Sequence, residues 1–346
     1  MIEVKNLVKK YGNFTAVNNL SFKVEKGQVY GFLGPNGAGK STTMNIIIGY
    51  LSATSGEVII NGHNIFEEPE EAKKCFGYLP ELPPLYQDMT VKEYLDFVAE
   101  LKKLPKKDRK SFVAEAMEMT KITDMKSRLI KNLSKGYKQR VGFAQAILGF
   151  PEIIILDEPT VGLDPKQIIE IRDLIKKLSE NHTIILSSHI LSEVSAVCDK
   201  VLIINRGKLV AEGTPEELTE MNQGTQEVKL RIKGAKSAIE NILKSMKNVH
   251  RQEFSVSDEE GTVDVLVYAE KEKDIREELF KEFAKNDMSI LSMSAYVKSL
   301  EDIFLEVTDS STDKSLNKIK AKKAEKIEEV QEKEEIEEKE ESEEES

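Results

Sequence analysis

Nine residues between an expected strand and an expected helix carry the clearest chemistry in this sequence: Gly34-Pro35-Asn36-Gly37-Ala38-Gly39-Lys40-Ser41-Thr42. Glycine, four residues, glycine, lysine and a hydroxyl is the spacing of a loop that binds phosphate. Glycines at 34, 37 and 39 let successive backbone N–H groups curl into a concave nest, which bulky side chains would block. The phosphate then meets the positive end of the next helix, expected over Thr43 to Tyr50. Lys40 reaches the β and γ phosphates of a nucleotide as a point charge, and the Ser41 hydroxyl is a ligand for Mg²⁺.

Carboxylates follow far downstream. Ile153-Ile154-Ile155-Leu156 lacks alternation, as a parallel strand buried on both faces should, and Asp157-Glu158 stand at its end. Ligands of α/β sheets bind outside the carboxyl ends of strands, so both carboxylates point toward the phosphates. Asp157 is expected in the Mg²⁺ shell, and Glu158 is expected to orient and deprotonate a water. A second buried strand, Thr183 to Ser187, delivers His189 to the same side, where a polar ring edge can contact a γ-phosphate. His63, His182 and His250 have no such placement. Ser134 is an expected N-cap, with Leu133 before it as a staple. With side-chain-free Gly136 it also forms a second phosphate-binding helix end. One nucleotide needs only one cradle, so a second makes sense if it serves the nucleotide of a partner subunit. Tyr11, followed by Gly12, is either a core aromatic or a face offered to an adenine ring.

The elements that must position these residues follow from periodicity. Leu20 to Glu25 alternates, giving a lead-in layer of half-exposed antiparallel strands. Gly56 to Gly62 reads as a strand closed by a turn. From Thr90 the period becomes helical, with apolar residues at Val91, Tyr94, Leu95, Val98, Leu101 and Leu104 and an end marked by Pro105. Further helices are expected over Asp108 to Thr120, Val141 to Phe150 and Lys166 to Glu180. Residues from about 80 to 150 thus form a helical subdomain inserted in an α/β core. A hairpin turning at Arg206-Gly207 closes the first domain near Glu220. A smaller unit of β-α-β-β-α-β order follows, a ferredoxin-like pattern. A short closing helix is expected over Leu300 to Thr308. From Asp309 the chain is polar, Lys-rich and then Glu-rich, and should be disordered or only partly helical.

Composition bounds the rest. The chain has 346 residues, 40% of them hydrophobic, enough for two domains with sizeable cores. No apolar run approaches the ~18 residues that a membrane span needs, and Met1 to Lys5 is unlike a secretory segment, so the cytoplasm is expected. Cys75 and Cys198 have neither metal-type spacing nor a disulfide framework, and are read as core residues. The formal charge of -11 argues against a nucleic-acid binder. Much of that charge is terminal: Ala324 to Ser346 holds thirteen Glu and three Lys.

Taken together the motifs resemble the ATP-binding subunit of an ABC transporter over roughly residues 1 to 220. Gly34 to Thr42 resembles Walker A, Leu133 to Tyr137 the signature, and Asp157-Glu158 the Walker B pair. Gly162 to Asp164 resembles the D-loop, His189 the switch histidine, and Tyr11 the adenine-stacking aromatic. The resemblance implies an α/β phosphate-loop ABC ATPase core at 1–220 with an antiparallel β layer and an inserted helical subdomain. A small C-terminal α+β domain at 225–308 and a disordered charged tail at 309–346 complete the expected organisation. It further implies ATP and Mg²⁺ as cofactors and a head-to-tail pair, a homodimer or one with a paralogous cassette. Each ATP would then lie between Walker A of one subunit and the signature of the other, with Asp164 also among the nucleotide-binding residues. A separate integral membrane permease would follow the cycle, with this subunit peripheral on the inner face of the cell membrane. Gly77-Tyr78-Leu79-Pro80-Glu81 and Leu300 to Leu305 are similar to single-cassette ATPases of bacterial and archaeal exporters. The competing function is a soluble ABC ATPase acting on ribosomes or DNA, but those types resemble either two cassettes in one chain or a cassette split by a long coiled coil. Two motifs depart from the family pattern. Glu81 stands where a glutamine is usual, so its carboxylate either enters the Mg²⁺ and water site or stays out and serves the contact with the permease, and Lys135 and Tyr137 replace glycine and glutamine in the signature.

Overall fold

The computed structural model describes residues 1–221, 225–270, 274–296 and 304, which divide into a first unit containing Met1–Glu216 and a second beginning at Glu217. The first unit opens with β1 (Ile2–Tyr11), β2 (Phe14–Val24), β3 (Val29–Leu33), α1 (Lys40–Ile47), β4 (Ser55–Ile60) and β5 (His63–Asn64). It continues through α2 (Pro69–Lys74), β6 (Phe76–Leu79), α3 (Val91–Leu101), α4 (Arg109–Met119) and α5 (Lys135–Ile147). It closes with β7 (Ile153–Asp157), α6 (Pro165–Ser179), β8 (Thr183–Ser188), α7 (Leu191–Val197), β9 (Lys200–Asn205) and β10 (Lys208–Gly213), before α8 (Pro215–Met221).

Two sheets share this unit. The lead-in layer is antiparallel in the order β2-β1-β4-β5, and Leu20, Phe22 and Val24 are buried between exposed Ser21 and Lys23, the expected alternation. The second sheet has the order β10-β9-β3-β8-β7-β6, with β9, β3, β8, β7 and β6 parallel. β3, β7 and β8 are buried along their whole length, which is why their sequences run apolar without alternating. One core joins the layers: Ile2, Leu20 and Val58 of the first sheet pack in the same cluster as Phe32, Ile155 and Leu202 of the second.

Several boundaries differ from the expectation. Thr90 begins α3 through a capping box, its Oγ1 accepting from Glu93 N at 3.3 Å while its own N–H donates to Glu93 Oε2 at 2.8 Å. The helix ends at Leu101, ahead of Pro105, because Lys103 turns to φ 55. Lys102 then donates from Nζ to the carbonyls of Gln145 and Leu148, both at 2.9 Å, satisfying the last turn of α5. α5 starts at Lys135, directly after the expected N-cap Ser134 and ahead of the apolar run from Val141, and stops at Ile147, not Phe150, since Gly149 and Phe150 both have positive φ. The helix after the glycine loop starts at Lys40 and ends at Ile47, not Tyr50. Cys198 is buried, which pushes its thiol up, and Cys75 is half-buried, packed against the edge of the core.

β6 is the edge strand that sequence periodicity does not reveal. Gly77 lies so close to α5 that a Cβ there would stand 1.9 Å from the Ala146 carbonyl oxygen. Gly77→Ala must push α5 off the sheet, at an expected cost of about 2–3 kcal/mol. A urea midpoint equal to that of the parent protein would contradict this contact.

The second unit has β11 (Thr225–Lys233), α9 (Lys236–Ser245), β12 (Val249–Val256), β13 (Thr262–Glu270), α10 (Arg276–Lys285) and β14 (Ile290–Tyr296). They form one antiparallel sheet in the order β12-β13-β11-β14. Val228, Leu230, Val265 and Val267 share its core with Ile239, Leu243, Leu279 and Phe283 of the two helices. The helix expected over Leu300 to Thr308, Phe304 apart, and the tail from Asp309 to Ser346 lie outside the described residues. Among the described residues no helix is long and apolar enough to cross a membrane.

Candidate active site

The glycine loop sits at the carboxyl end of β3, and two glycines are fixed there by close backbone approach. A Cβ on Gly34 would stand 2.5 Å from the Ile204 carbonyl oxygen, and one on Gly39, at φ 105, would stand 2.5 Å from that of Ala16. The two-residue turn Arg206-Gly207, with positive φ at both positions, braces the loop from behind as Gly207 N donates to Ala38 O at 2.8 Å. Thr43 ties the first turn of α1 back to the Gly39 carbonyl through both its N–H and its hydroxyl, each at 2.9 Å.

Lys40 is buried at 6% exposure, and its Nζ donates to Gly34 O at 2.7 Å. Burial pushes the ammonium below its ordinary range, opposed by the carboxylates of Glu158 and Asp157. Glu158 Oε1 lies 3.9 Å from Nζ, and Glu158 Oε2 lies 2.9 Å from His189 Nδ1. Lys40 opens α1 after the loop that follows β3, while Glu158 and His189 directly follow β7 and β8, so the three side chains meet beyond the carboxyl ends of neighbouring strands. Ser187 holds the strand ends in register. Its hydroxyl donates to Asp157 Oδ1 at 2.5 Å and accepts from Glu158 N at 3.0 Å. Glu158 itself is held at φ 47, a left-handed conformation that costs about 1–3 kcal/mol at a non-glycine residue and persists only where the surroundings impose it.

A cleft of about 410 Å³ opens over this group. Of the residues singled out from sequence, Pro35, Asn36, Gly37, Gly39, Lys40, Ser41 and Thr42 line its loop side. Tyr11, Glu81, Glu158 and His189 line the rest. Gly34 and Ala38 lie behind the loop, and Asp157 sits beneath the cleft floor at 7% exposure. Phe14, Ala16 and Val161 also line the cleft and were not singled out from sequence. Phe14 had a readable signal, since it faces Tyr11 across the two-residue turn Gly12-Asn13. Both rings are well exposed, at 63% and 48%, as a stacking platform requires. Glu81 is exposed on the cleft wall.

The oxygen donors suit Mg²⁺ in kind: the Ser41 hydroxyl and the carboxylates of Asp157 and Glu81. Among the described residues no group of three or more His, Cys, Asp or Glu could hold a metal alone. Mg²⁺ that keeps waters and phosphate oxygens needs only one or two protein carboxylates.

Ser134, Gly136 and Asp164 are not brought into this cleft. Ser134 Oγ caps α5 by accepting from Tyr137 N at 3.4 Å, and Asp164 Oδ1 caps α6 by accepting from Gln167 N at 2.9 Å. Gly136 and Asp164 line a separate depression of about 300 Å³. Lys135 lies across the adjoining turn, where a Cβ on Gly162 would stand 1.8 Å from its Nζ.

Comparison with known proteins agrees with this geometry. Residues 17–161 match the ABC transporter family. The chain is 33% identical over 309 residues to the linearmycin resistance ATP-binding protein of Bacillus subtilis (strain 168), covering 89% of this chain and 98% of that protein. It is 35% identical over 314 residues to the bacitracin transport ATP-binding protein of Bacillus licheniformis, covering 90% and 98%. Its fold is similar to that of an ATP-binding cassette solved as a dimer in a post-hydrolysis state with ADP and Pi, with a TM-score of 0.56 and 26% identity over 62% of this chain and 98% of that one. With a phosphate loop, paired carboxylates and a histidine converging on one cleft, and with near full-length relatives of this kind, the chain belongs to the ABC transporter family as an ATP-binding, ATP-hydrolysing subunit.

Proposed function

We propose that ATP binds in the cleft over Lys40 and that two copies, or this chain and a paralogue, close around two ATP to drive a membrane permease for export. The observation that carries this reading is the contact of Glu158 with both His189, at 2.9 Å, and Lys40, at 3.9 Å, on the floor of a glycine-loop cleft. In it Tyr11 stacks the adenine, the loop from Gly34 to Thr42 wraps the phosphates, and Lys40 neutralises the β and γ oxygens. Ser41, Asp157 and Glu81 hold Mg²⁺, which supplies charge neutralisation when bound. Glu158 takes a proton from the attacking water, and His189 holds Glu158 in place and meets the γ-phosphate. Ser134, Gly136 and Asp164 have no route to the nucleotide of their own chain, which supports their serving a partner's.

A permease is the partner that the exposed apolar surface fits. Tyr50, Tyr86 and Leu101, all well exposed, surround a groove of about 560 Å³ floored by Phe76 and Phe97, suited to an apolar cytoplasmic segment of a membrane protein. The names of the linearmycin and bacitracin relatives support export as the direction. A peripheral place on the inner face of the cell membrane follows from such a partner. We also read the C-terminal unit, 225–308, as a ferredoxin-like domain, supported by its β-α-β-β-α-β order and its sheet order. The first 220 residues are then the ABC domain, with its helical subdomain at about 80–150.

Mixing Lys40→Ala with Ser134→Arg subunits tests the shared site. Each variant alone should be inactive, whereas the heterodimer keeps one intact composite site and should return a measurable fraction of parent ATPase. No recovery at any mixing ratio, with both variants folded and dimerising, would contradict composite sites.

A further inference from the structure

Glu193 is a buried carboxylate for which the hydrolytic reading above has no use. It lies on α7 at 5% exposure, and it accepts hydrogen bonds from two hydroxyls, one on the turn after β7 and one at the end of β8. Thr160 Oγ1 donates to Glu193 Oε2, and Ser188 Oγ donates to the same oxygen at 3.2 Å. Thr160 stands two residues after Glu158, and Ser188 immediately precedes His189. Ser188 Oγ also accepts from Ile190 N at 3.0 Å, so the residues on both sides of His189 are fixed through one hydroxyl.

The turn that carries Glu158 is pinned at its start, where Glu158 N donates to Ser187 Oγ at 3.0 Å. Val161 N donates to Glu158 O at 3.2 Å and Leu163 N to Thr160 O at 3.2 Å, giving two linked turns. Gln139 of α5 holds the Pro159 carbonyl at 3.0 Å. The Thr160 hydroxyl is held from α7. A left-handed Glu158 persists when its surroundings over-determine it, and the Glu193 contact is one of those constraints.

We propose that Glu193 is a positioning residue for hydrolysis, one carboxylate that sets the spacing between the turn bearing Glu158 and the turn bearing His189. The proposal rests on the assignment of Glu158 and His189 made above. Displacing a catalytic group by about 1 Å can cost on the order of 10²-fold in rate. Glu193→Ala should therefore lower kcat by about 10- to 100-fold while leaving the Kd for Mg-ATP within about threefold, since the loop from Gly34 to Thr42 is untouched. Glu193→Gln, which keeps the size and one acceptor oxygen, should recover most of kcat. It also keeps the test alive if the alanine variant does not fold.

A double-mutant cycle reads the coupling. If Glu193 acts through Glu158, Glu158→Gln with Glu193→Ala should hydrolyse no more slowly than Glu158→Gln alone. Multiplicative losses would overturn the proposal, as would a parent-like kcat in Glu193→Ala or equal losses of kcat and ATP affinity. Full turnover in Glu158→Gln by itself is a different failure, one that removes the assignment of Glu158.

Discussion

Lys40→Ala should weaken Mg-ATP binding by on the order of 10²-fold or more and leave no measurable turnover at micromolar nucleotide. Lys40 Nζ is held 2.7 Å from the Gly34 carbonyl, so its charge is delivered to the mouth of the nest with little freedom to lose on binding. Removing one partner of a desolvated, hydrogen-bonded charge pair costs about 2–5 kcal/mol, which is roughly 30-fold to several thousandfold in Kd. The loss is compounded because Glu158, 3.9 Å from Nζ, would then face the phosphates without a neutralising cation. Lys40→Arg should not recover affinity, because a planar guanidinium cannot take the place of a compact ammonium in a buried site. Equilibrium titration with a fluorescent ATP analogue checks both variants, and an affinity within threefold of the parent for Lys40→Ala would contradict the role.

Glu158→Gln has the opposite signature. The amide keeps the shape of the side chain and its reach to His189, but it cannot take a proton from water. The expected fall in kcat is about 10²- to 10⁴-fold, the ordinary contribution of a general base. ATP affinity should hold or rise, since a negative charge has been removed from beside the γ-phosphate. Steady-state hydrolysis together with equilibrium binding separates the two effects. A parallel loss of both would mean that Glu158 positions the loop and is not the base.

The parts of this site that were legible in sequence are those written in short, contiguous chemistry. Gly34 to Thr42 specifies its own turn, because glycines, lysine and hydroxyl at that spacing have few other uses. Asp157, Glu158 and His189 were legible because each ends a strand whose unbroken apolar run marks it as buried on both faces, and such strand ends share one side of a parallel sheet. Convergence of the three on Lys40 could be expected, but the 2.9 Å contact between His189 and Glu158 could not.

What was missed depends on long-range packing. β6 is four residues long, too short to show a period, and its Gly77 is required by α5, which lies far along the chain. α3 ends ahead of Pro105 with Lys103 at φ 55, and Lys102 there turns its ammonium to the end of α5, an interaction across more than forty residues. Val161 reaches the cleft through the turn that follows β7, whereas Phe14 was missed despite its local pairing with Tyr11. Glu193 was not singled out from sequence, and the fold reveals that it is buried against two hydroxyls.

The central claim is that Glu158 breaks ATP held between two copies of the chain. It is tested most directly by incubating purified Glu158→Gln with Mg²⁺ and γ-labelled ATP, isolating the protein by size exclusion, and counting unhydrolysed nucleotide per chain. One intact ATP per chain, eluting at the size of a dimer, is the expected result. ATP converted to ADP at the parent rate, or intact ATP retained on a monomer, would contradict the claim.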